Sequence, residues 1–234
     1  MRLIPRLLLS LLALLPLAAL AAPAGADLQE GRDYELIARP GPFAPLAGKI
    51  EVVEVFGYTC PHCANFEPLL APWAAKLPAD VRFTLVPAAF GGSWDNWARA
   101  YYAAEQLGVA KRSHGAVFSA LHEEGSLPMQ NVGASELAAF YQRFGVKPAA
   151  FEAALEGDAV DAKVEAARTF LRRTQVPGTP ALIINGRYMV RGQSFPDQLR
   201  IADALIAELR SGKASLGQVN EQLKQDAGRA RTGR

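Results

Sequence analysis

One motif, Cys-Pro-His-Cys, restricts the possible structures of this chain more than any other feature of its 234 residues. Cys60 and Cys63 are the only two cysteines, and Pro61 and His62 separate them. A β-branched, apolar run interrupted only by Glu54 precedes the motif, which is typical of a strand buried on both faces. Proline suits the first turn of a helix, where its missing N–H has no partner to lose. The sequence therefore predicts a buried strand followed by a helix that begins at the motif.

This placement has a consequence for the acidity of Cys60. At or beside the helix N-cap, its sulfur faces unpaired backbone N–H groups and the positive end of the helix dipole. Both favour the thiolate over the thiol. Cys63 lies one turn further along and is set behind Cys60 as the resolving thiol. We therefore expect a dithiol/disulfide redox switch with Cys60 as its acidic, nucleophilic member.

Other uses of a Cys-x-x-Cys pair are supported less well. Structural zinc needs four ligands, but there is no second cysteine pair, and His62, His114 and His122 do not form a closing cluster. Haem attachment requires a histidine after the second cysteine, where this chain has Ala64. A purely structural disulfide stays open, although so short a loop contributes little chain entropy. A non-enzymatic carrier of a soft ion such as Cu(I) also stays open. We expect no metal and no organic cofactor.

Residues 1–22 have the pattern of a secretory signal peptide. Arg2 and Arg6 precede a segment rich in leucine and alanine, which ends in small residues. Cleavage after Ala21 or, at the latest, after Ala26 fits the sequence. A membrane anchor is the alternative, but Pro16 and the small-residue exit argue against it. We therefore expect an exported protein in a compartment that permits disulfides.

The charge balance gives no support for a nucleic-acid partner. The chain has 25 Lys and Arg against 23 Asp and Glu, and removing the two arginines of the signal leaves 23 against 23. Residues 212–234 carry five basic and two acidic side chains. Scattered charges of this kind are typical of a solvated terminus, so we predict a basic, flexible tail there.

The rest of the chain divides into an α/β part and a helical part. Apolar residues at helical spacing dominate residues 93–175, and Ser135 and Asp158 are candidate N-caps within them. Before this region, Pro68 and Pro72 are expected to bend or break the helix that starts at the motif. After it, a short apolar strand precedes the dipeptide Asn-Gly at 185–186, the strongest short hairpin signal.

Two segments of the sequence resemble the DsbA family of periplasmic thiol:disulfide oxidoreductases. They are Cys60-Pro61-His62-Cys63 after its apolar strand, and Gly178-Thr179-Pro180-Ala181 before Asn185-Gly186. The resemblance covers about residues 27–211. It implies an α/β protein with a thioredoxin fold formed by residues 27–92 and 176–211, and an inserted α-helical domain formed by residues 93–175.

The resemblance implies a role for each residue of the motif. Cys60 would be the exposed nucleophile and Cys63 the resolving cysteine. His62, which follows Pro61 in the motif, would stabilise the Cys60 thiolate. The implied function is donation of the Cys60–Cys63 disulfide to newly exported proteins with free thiols.

The resemblance also implies three supporting residues outside the motif. Pro180 would be a cis-proline facing the disulfide, Thr179 would present its backbone to a bound peptide, and Glu54 would be a buried acid beneath the active site. Two positions depart from the family. Thr179 replaces the valine of the best-known members, and Leu85 occupies the position where some members place a lysine near the buried glutamate.

These departures keep an alternative function open. Threonine before the cis-proline is more usual in disulfide isomerases and reductases, so Thr179 favours that class. No separate dimerisation module precedes the motif, which favours an oxidase and a monomer. For the oxidase, the resemblance implies a periplasmic location and re-oxidation by a quinone-linked membrane protein of the DsbB type.

Overall fold

The computed structural model of the protein describes residues 28–211. The predicted signal peptide, its cleavage site and the basic tail lie outside these residues. Within them, no helix is both long and apolar enough to cross a membrane. The secondary structure consists of β1 Tyr34–Leu36, β2 Ile50–Phe56, α1 Pro61–Ala74, β3 Val81–Pro87, α2 Ser93–Gln106, α3 Ala110–His122, α4 Ala134–Gln142, α5 Pro148–Leu155, α6 Asp158–Thr174, β4 Ala181–Ile184, β5 Tyr188–Val190 and α7 Phe195–Arg210.

The five strands form one mixed sheet in the order β1-β5-β4-β2-β3. β2 pairs with β3 in parallel and with β4 antiparallel, which makes β2 a strand paired on both edges. Six of its seven residues are buried, because helices cover both faces of the sheet. The continuous apolar run before the cysteine motif is therefore explained by its place within the sheet.

The two faces of β2 belong to two hydrophobic clusters. Val52 packs with Phe66 of α1 and Ile201 of α7. Val53 and Val55 belong to the larger cluster, which also holds the buried residues of α2 to α6. Side chains alternate along a strand, so Glu54 lies on the same face as Val52. The acid of the predicted site thus faces the side of the sheet that carries α1.

Five helices, α2 to α6, lie between β3 and β4, in agreement with the helical spacing of residues 93–175. Their starts differ from the predicted caps. The N-cap of α4 is Gly133, whose N–H donates to the Glu136 carboxylate at 2.8 Å, and not Ser135. The N-cap of α6 is Gly157, one residue before Asp158. Each helix has acidic side chains in its first turn, Glu136 in α4 and Asp158 and Asp161 in α6, and these interact favourably with the positive end of the helix dipole.

Two local predictions around the strands have different outcomes. The hairpin is confirmed, because Asn185 and Gly186 both have positive φ, at 50° and 58°, before β5 begins. The expected break in α1 is wrong, since the helix runs through Pro68 and Pro72 to Ala74. Both prolines are exposed, so water can hydrate the carbonyls that they leave without a partner.

A close backbone approach fixes the turn between β2 and α1. At Gly57, a Cβ atom would overlap the indole ring of Trp94, which packs against the turn from α2. The Gly57 N–H lies 3.5 Å from the Cys63 sulfur, and its carbonyl accepts a hydrogen bond from the Cys60 N–H at 3.0 Å. Gly57 therefore holds both ends of the cysteine motif.

We predict that Gly57→Ala lowers the free energy of unfolding by about 1–3 kcal/mol, because the added methyl group must displace Trp94. Gly115→Ala is the matched control. Gly115 lies within helix α3, and a Cβ atom added there would have no neighbour within 4 Å. It should raise the stability by up to ~1 kcal/mol. Denaturant unfolding of the three proteins measures both effects. Equal stability of the wild type and Gly57→Ala would contradict the close approach.

Candidate active site

Cys60 is the N-cap residue of α1, and Pro61 occupies the first helical turn, as the motif predicts. The backbone of Cys60 is extended, with φ −86° and ψ 116°, and its carbonyl accepts the Ala64 N–H at 3.1 Å. The residue is only 7% exposed, which differs from the exposed nucleophile implied by the resemblance. Its sulfur is covered in part by Thr179, whose carbonyl lies 3.4 Å away. A substrate can therefore reach the sulfur only from the remaining open side.

The environment of Cys60 stabilises its thiolate. Its pKa is lowered to about 5, and a hydrogen bond from the Cys63 side chain is the largest cause. Burial opposes this shift, while hydrogen bonds from the Thr179 side chain and from the backbone N–H groups of Cys63 and His62 add to it. The backbone donors are the unpaired N–H groups of the first helical turn. At neutral pH Cys60 is therefore an anion.

Cys63 has the opposite preference. It is 1% exposed, and the pKa of its thiol is raised, first by the hydrogen bond to Cys60, then by burial and by the nearby carboxyl group of Glu54. Only the Gly57 N–H works in the other direction. Both cysteines are free in the structure, so the pair holds one proton, on Cys63, at neutral pH.

Glu54 lies beneath this pair in the centre of the sheet. It is 2% exposed, and its pKa is raised well above the usual range by burial, by Glu67 and by Cys60, in that order. Within residues 28–211, its Oε2 has no hydrogen-bond partner. The adjacent position on β3 is Leu85, which offers no charge to stabilise a carboxylate. Glu54 therefore keeps its proton to an unusually high pH.

The loop that contains Thr179 and Pro180 lies beside the cysteine motif in the folded protein. Thr179 precedes β4, 119 residues after Cys60, and the Thr179–Pro180 peptide bond is cis. When Cys60 is protonated, its thiol donates to the Thr179 carbonyl, whereas the Thr179 side chain supports the thiolate. Beside these contacts lies an open groove of about 290 Å³ that includes Pro177, Pro180 and Gln198. A peptide bound there would lie next to the reactive sulfur.

The structure places His62 on the exposed side of the first turn of α1. Its backbone N–H contributes to the low pKa of Cys60. Among the residues the structure describes, no hydrogen bond or ion pair joins its imidazole to Cys60. A role for the side chain in stabilising the thiolate stays a prediction.

Two polar side chains near the site were not assigned a role from the sequence. His114 of α3 is buried, with Nδ1 3.0 Å from the Tyr58 hydroxyl and Nε2 3.6 Å from Glu67. Glu67 lies four residues after Cys63, so it shares a face of α1 with that cysteine. This spacing was the available signal for Glu67, whereas His114 follows no pattern apart from its apolar helix face. The described residues contain no group of three or more His, Cys, Asp and Glu arranged to hold a metal ion.

Two cysteines with opposite proton affinities, at the start of the helix that follows a central strand, define a thiol:disulfide oxidoreductase of the thioredoxin class. The family model of the DSBA-like thioredoxin domain matches residues 51–202. Thiol:disulfide interchange protein DsbA of Pseudomonas aeruginosa is 36% identical over 208 residues, which are 88% of this chain and 96% of that protein. Its counterpart in Azotobacter vinelandii is 37% identical over 191 residues, 80% and 87% of the two chains.

Similar solved structures belong to the same family as these relatives. The crystal structure of the oxidoreductase DsbA from Xylella fastidiosa is 56% identical, with a TM-score of 0.78, and the match covers 79% of this chain and 99% of that one. The crystal structure of Pseudomonas aeruginosa DsbA gives a TM-score of 0.73 at 36% identity over 79% and 96% of the two chains. The chain belongs to the DsbA family. The predicted fold class, a thioredoxin fold with an inserted α-helical region, is confirmed.

The causes of the low Cys60 pKa predict a specific titration. Thiolate absorbance of the reduced protein should rise with pH through a transition near pH 5, and Cys60→Ser should abolish it. Cys63→Ala should move the transition to higher pH, because it removes the hydrogen bond from Cys63, which is the largest stabilising contribution. Cys63→Ser is the matched control, because its hydroxyl can still donate to the Cys60 sulfur and should keep the transition at low pH. If Cys60 of the wild type instead titrates at about pH 8.5, as an unperturbed cysteine does, this description of the site is wrong.

Proposed function

We propose that this protein is an exported oxidant that donates its Cys60–Cys63 disulfide to proteins with free thiols. The observation that carries the proposal is the pKa of about 5 at Cys60, beside a Cys63 whose pKa is raised. A stabilised Cys60 thiolate is a good leaving group and lowers the free energy of the reduced form. The disulfide is then a strong oxidant, a relation for which DsbA proteins themselves are the standard example.

The reaction has two exchange steps. A substrate thiolate attacks the Cys60 sulfur, a mixed disulfide forms, and the Cys60–Cys63 bond breaks with its electron pair on the Cys63 sulfur. Because the pKa of Cys63 is raised, this sulfur takes up a proton, for which Glu54 is the nearby donor. A second substrate thiolate then attacks the substrate sulfur of the mixed disulfide and releases Cys60 as a thiolate. The substrate has lost two electrons and the cysteine pair has gained them.

The isomerase or reductase alternative rested on Thr179. In the folded protein the Thr179 side chain is one of the groups that lower the pKa of Cys60. It therefore contributes to the thiolate stabilisation on which an oxidant depends. We propose that Thr179 and Pro180 hold the substrate peptide beside Cys60, along the groove that they line.

The remaining parts of the proposal concern the cellular setting. The signal peptide predicted at residues 1–22 supports export to the periplasm, where exported proteins that still carry free thiols are the substrates. Each turnover leaves the cysteine pair reduced, so an external electron acceptor is required. Family membership supports a DsbB-type, quinone-linked membrane protein in this role. We propose that the protein acts as a monomer, with residues 27–92 and 176–211 forming the catalytic domain and residues 93–175 the helical insertion.

His62 is proposed to add to the thiolate stabilisation through its imidazole. The side chain is exposed in the first turn of α1, near the charge on Cys60. A positively charged imidazole close to the Cys60 sulfur would favour the thiolate, although solvent screens the interaction.

The direction of the exchange is tested by equilibrating the protein with mixtures of reduced and oxidised glutathione. The wild type should stay largely reduced in mixtures that oxidise ordinary protein thiols, because its reduced form is stabilised. His62→Ser should raise the Cys60 pKa and shift the equilibrium by up to about tenfold towards the oxidised protein, one pKa unit corresponding to a factor of ten. A wild-type couple that is more reducing than glutathione would favour the reductase instead.

A further inference from the structure

A histidine at the end of α3 contacts the turn that leads into the cysteine motif, and none of the steps described so far uses it. His122 is the last residue of α3 and is half-buried. Its Nε2 lies 2.7 Å from the main-chain carbonyl oxygen of Tyr58, two residues before Cys60. A carbonyl oxygen only accepts, so Nε2 carries the hydrogen of this bond. A short hydrogen bond therefore joins the inserted helical region to the turn before the nucleophile.

This bond fixes the orientation of one peptide unit in the turn. The hydrogen bond from the Cys60 N–H to the Gly57 carbonyl closes a four-residue turn, in which Tyr58 and Thr59 are the two central residues. The peptide unit between these two residues is rigid and planar. A partner that holds the Tyr58 carbonyl therefore also fixes the direction of the Thr59 N–H, and with it the path of the chain into Cys60.

The same helix also holds the side chain of Tyr58. His114 Nδ1 lies 3.0 Å from the Tyr58 hydroxyl, and the ring of Phe118 packs against the tyrosine ring with the centroids 5.2 Å apart. Phe118 contacts the His122 ring as well, at a centroid distance of 6.1 Å. His114, Phe118 and His122 follow one another at intervals of four residues, so they share one face of α3. This face holds Tyr58 at both its side chain and its main chain.

The position of the Cys60 sulfur depends on this turn. Cys60 has an extended backbone as the N-cap of α1, and its thiolate is supported by the backbone N–H groups of His62 and Cys63. Hydrogen bonds weaken steeply as their geometry departs from the linear arrangement. Only Thr59 separates Tyr58 from Cys60, so a rotation of the preceding peptide would change the direction of the sulfur relative to these donors.

We propose that His122 is a positioning residue for the reactive sulfur. It keeps the turn in the conformation that presents the Cys60 sulfur to its hydrogen-bond donors, and so it sets how strongly the cysteine pair oxidises a substrate. Within residues 28–211, no hydrogen bond joins His122 to Cys60, so the effect passes through the main chain of the turn. The two exchange steps are unchanged, because His122 neither gains nor loses a proton or an electron in them.

The neighbours of His122 are not suited to the same contact. Glu123 and Glu124 follow it and are exposed, and both carboxylates accept a hydrogen bond from the Ser119 hydroxyl, at 2.6 and 3.2 Å. An ionised carboxylate has no hydrogen to donate, so it cannot bind the carbonyl of Tyr58. The imidazole N–H is the donor at the end of α3 that the turn requires.

The test compares three variants with the wild type, by the Cys60 thiolate titration and by the glutathione equilibrium. His122→Phe keeps a ring beside Phe118 and removes the donor. His122→Gln is the conservative variant, because a side-chain amide still offers an N–H to the Tyr58 carbonyl. Ser119→Ala is the matched control, since it removes two hydrogen bonds from the same end of α3 and leaves the bond to Tyr58 in place.

His122→Phe should raise the pH of the Cys60 transition and shift the glutathione equilibrium towards the oxidised protein by the same factor, about three- to tenfold. His122→Gln and Ser119→Ala should both stay within about twofold of the wild type. A histidine that only stabilised the fold would leave both readouts unchanged in His122→Phe, and this result would overturn the proposal. A shift in His122→Gln or in Ser119→Ala as large as that in His122→Phe would overturn it too.

A measurement on the wild type decides the matter even if His122→Phe does not fold. Nitrogen chemical shifts of the imidazole should show that His122 carries a hydrogen on Nε2, because the Tyr58 carbonyl accepts it. A His122 with its hydrogen on Nδ1 alone would overturn the proposal. The effect on oxidising strength rests on the proposed function, whereas the Cys60 titration does not. A wild type more reducing than glutathione would reject that function, and the titrations would still decide the role of His122.

Discussion

The negative charge on the Cys60 sulfur is the feature on which the rest of the site depends. It is held at the start of α1 by N–H groups of the helix, by Cys63 and by Thr179. Each of these donors is placed by a different part of the fold. Pro61 starts the helix at the right residue, Gly57 lets the turn pass beneath Trp94, and the loop before β4 brings Thr179 to the sulfur. The sheet positions the helix start, the turn and the loop so that they meet at the Cys60 sulfur.

The stabilised anion has a counterpart in the interior. Cys63 and Glu54 are both buried, and both have pKa values that are raised. A charge is expensive in an apolar interior, so the buried groups hold protons while the charge stays at the helix terminus. The site therefore separates two tasks. The helix terminus stabilises the leaving thiolate, and the buried acid, without a cation beside it on β3, keeps a proton for the sulfur that must become a thiol.

Some parts of the site follow from local sequence, and others depend on the tertiary packing. The position of Cys60 at the helix start follows from local chemistry, since Pro61 and the preceding strand leave few alternatives. The contact with Thr179 spans 119 residues, so only the family resemblance indicated it. His114 and Glu67 were missed because their meaning depends on the packing of α3 against α1, which no local pattern encodes.

Comparing the stabilities of the reduced and oxidised proteins tests the central claim, the stabilised Cys60 thiolate, most directly. The folded pKa of about 5 lies below the value of an unfolded cysteine, near 8.5. The thiolate therefore stabilises the reduced fold above that value, still does so in part at neutral pH, and ceases to do so as the pH falls through about 5. Denaturant unfolding at pH 7 and at pH 4 should show a more stable reduced protein at pH 7 only. An oxidised protein that is more stable by the same amount at both pH values would contradict the account.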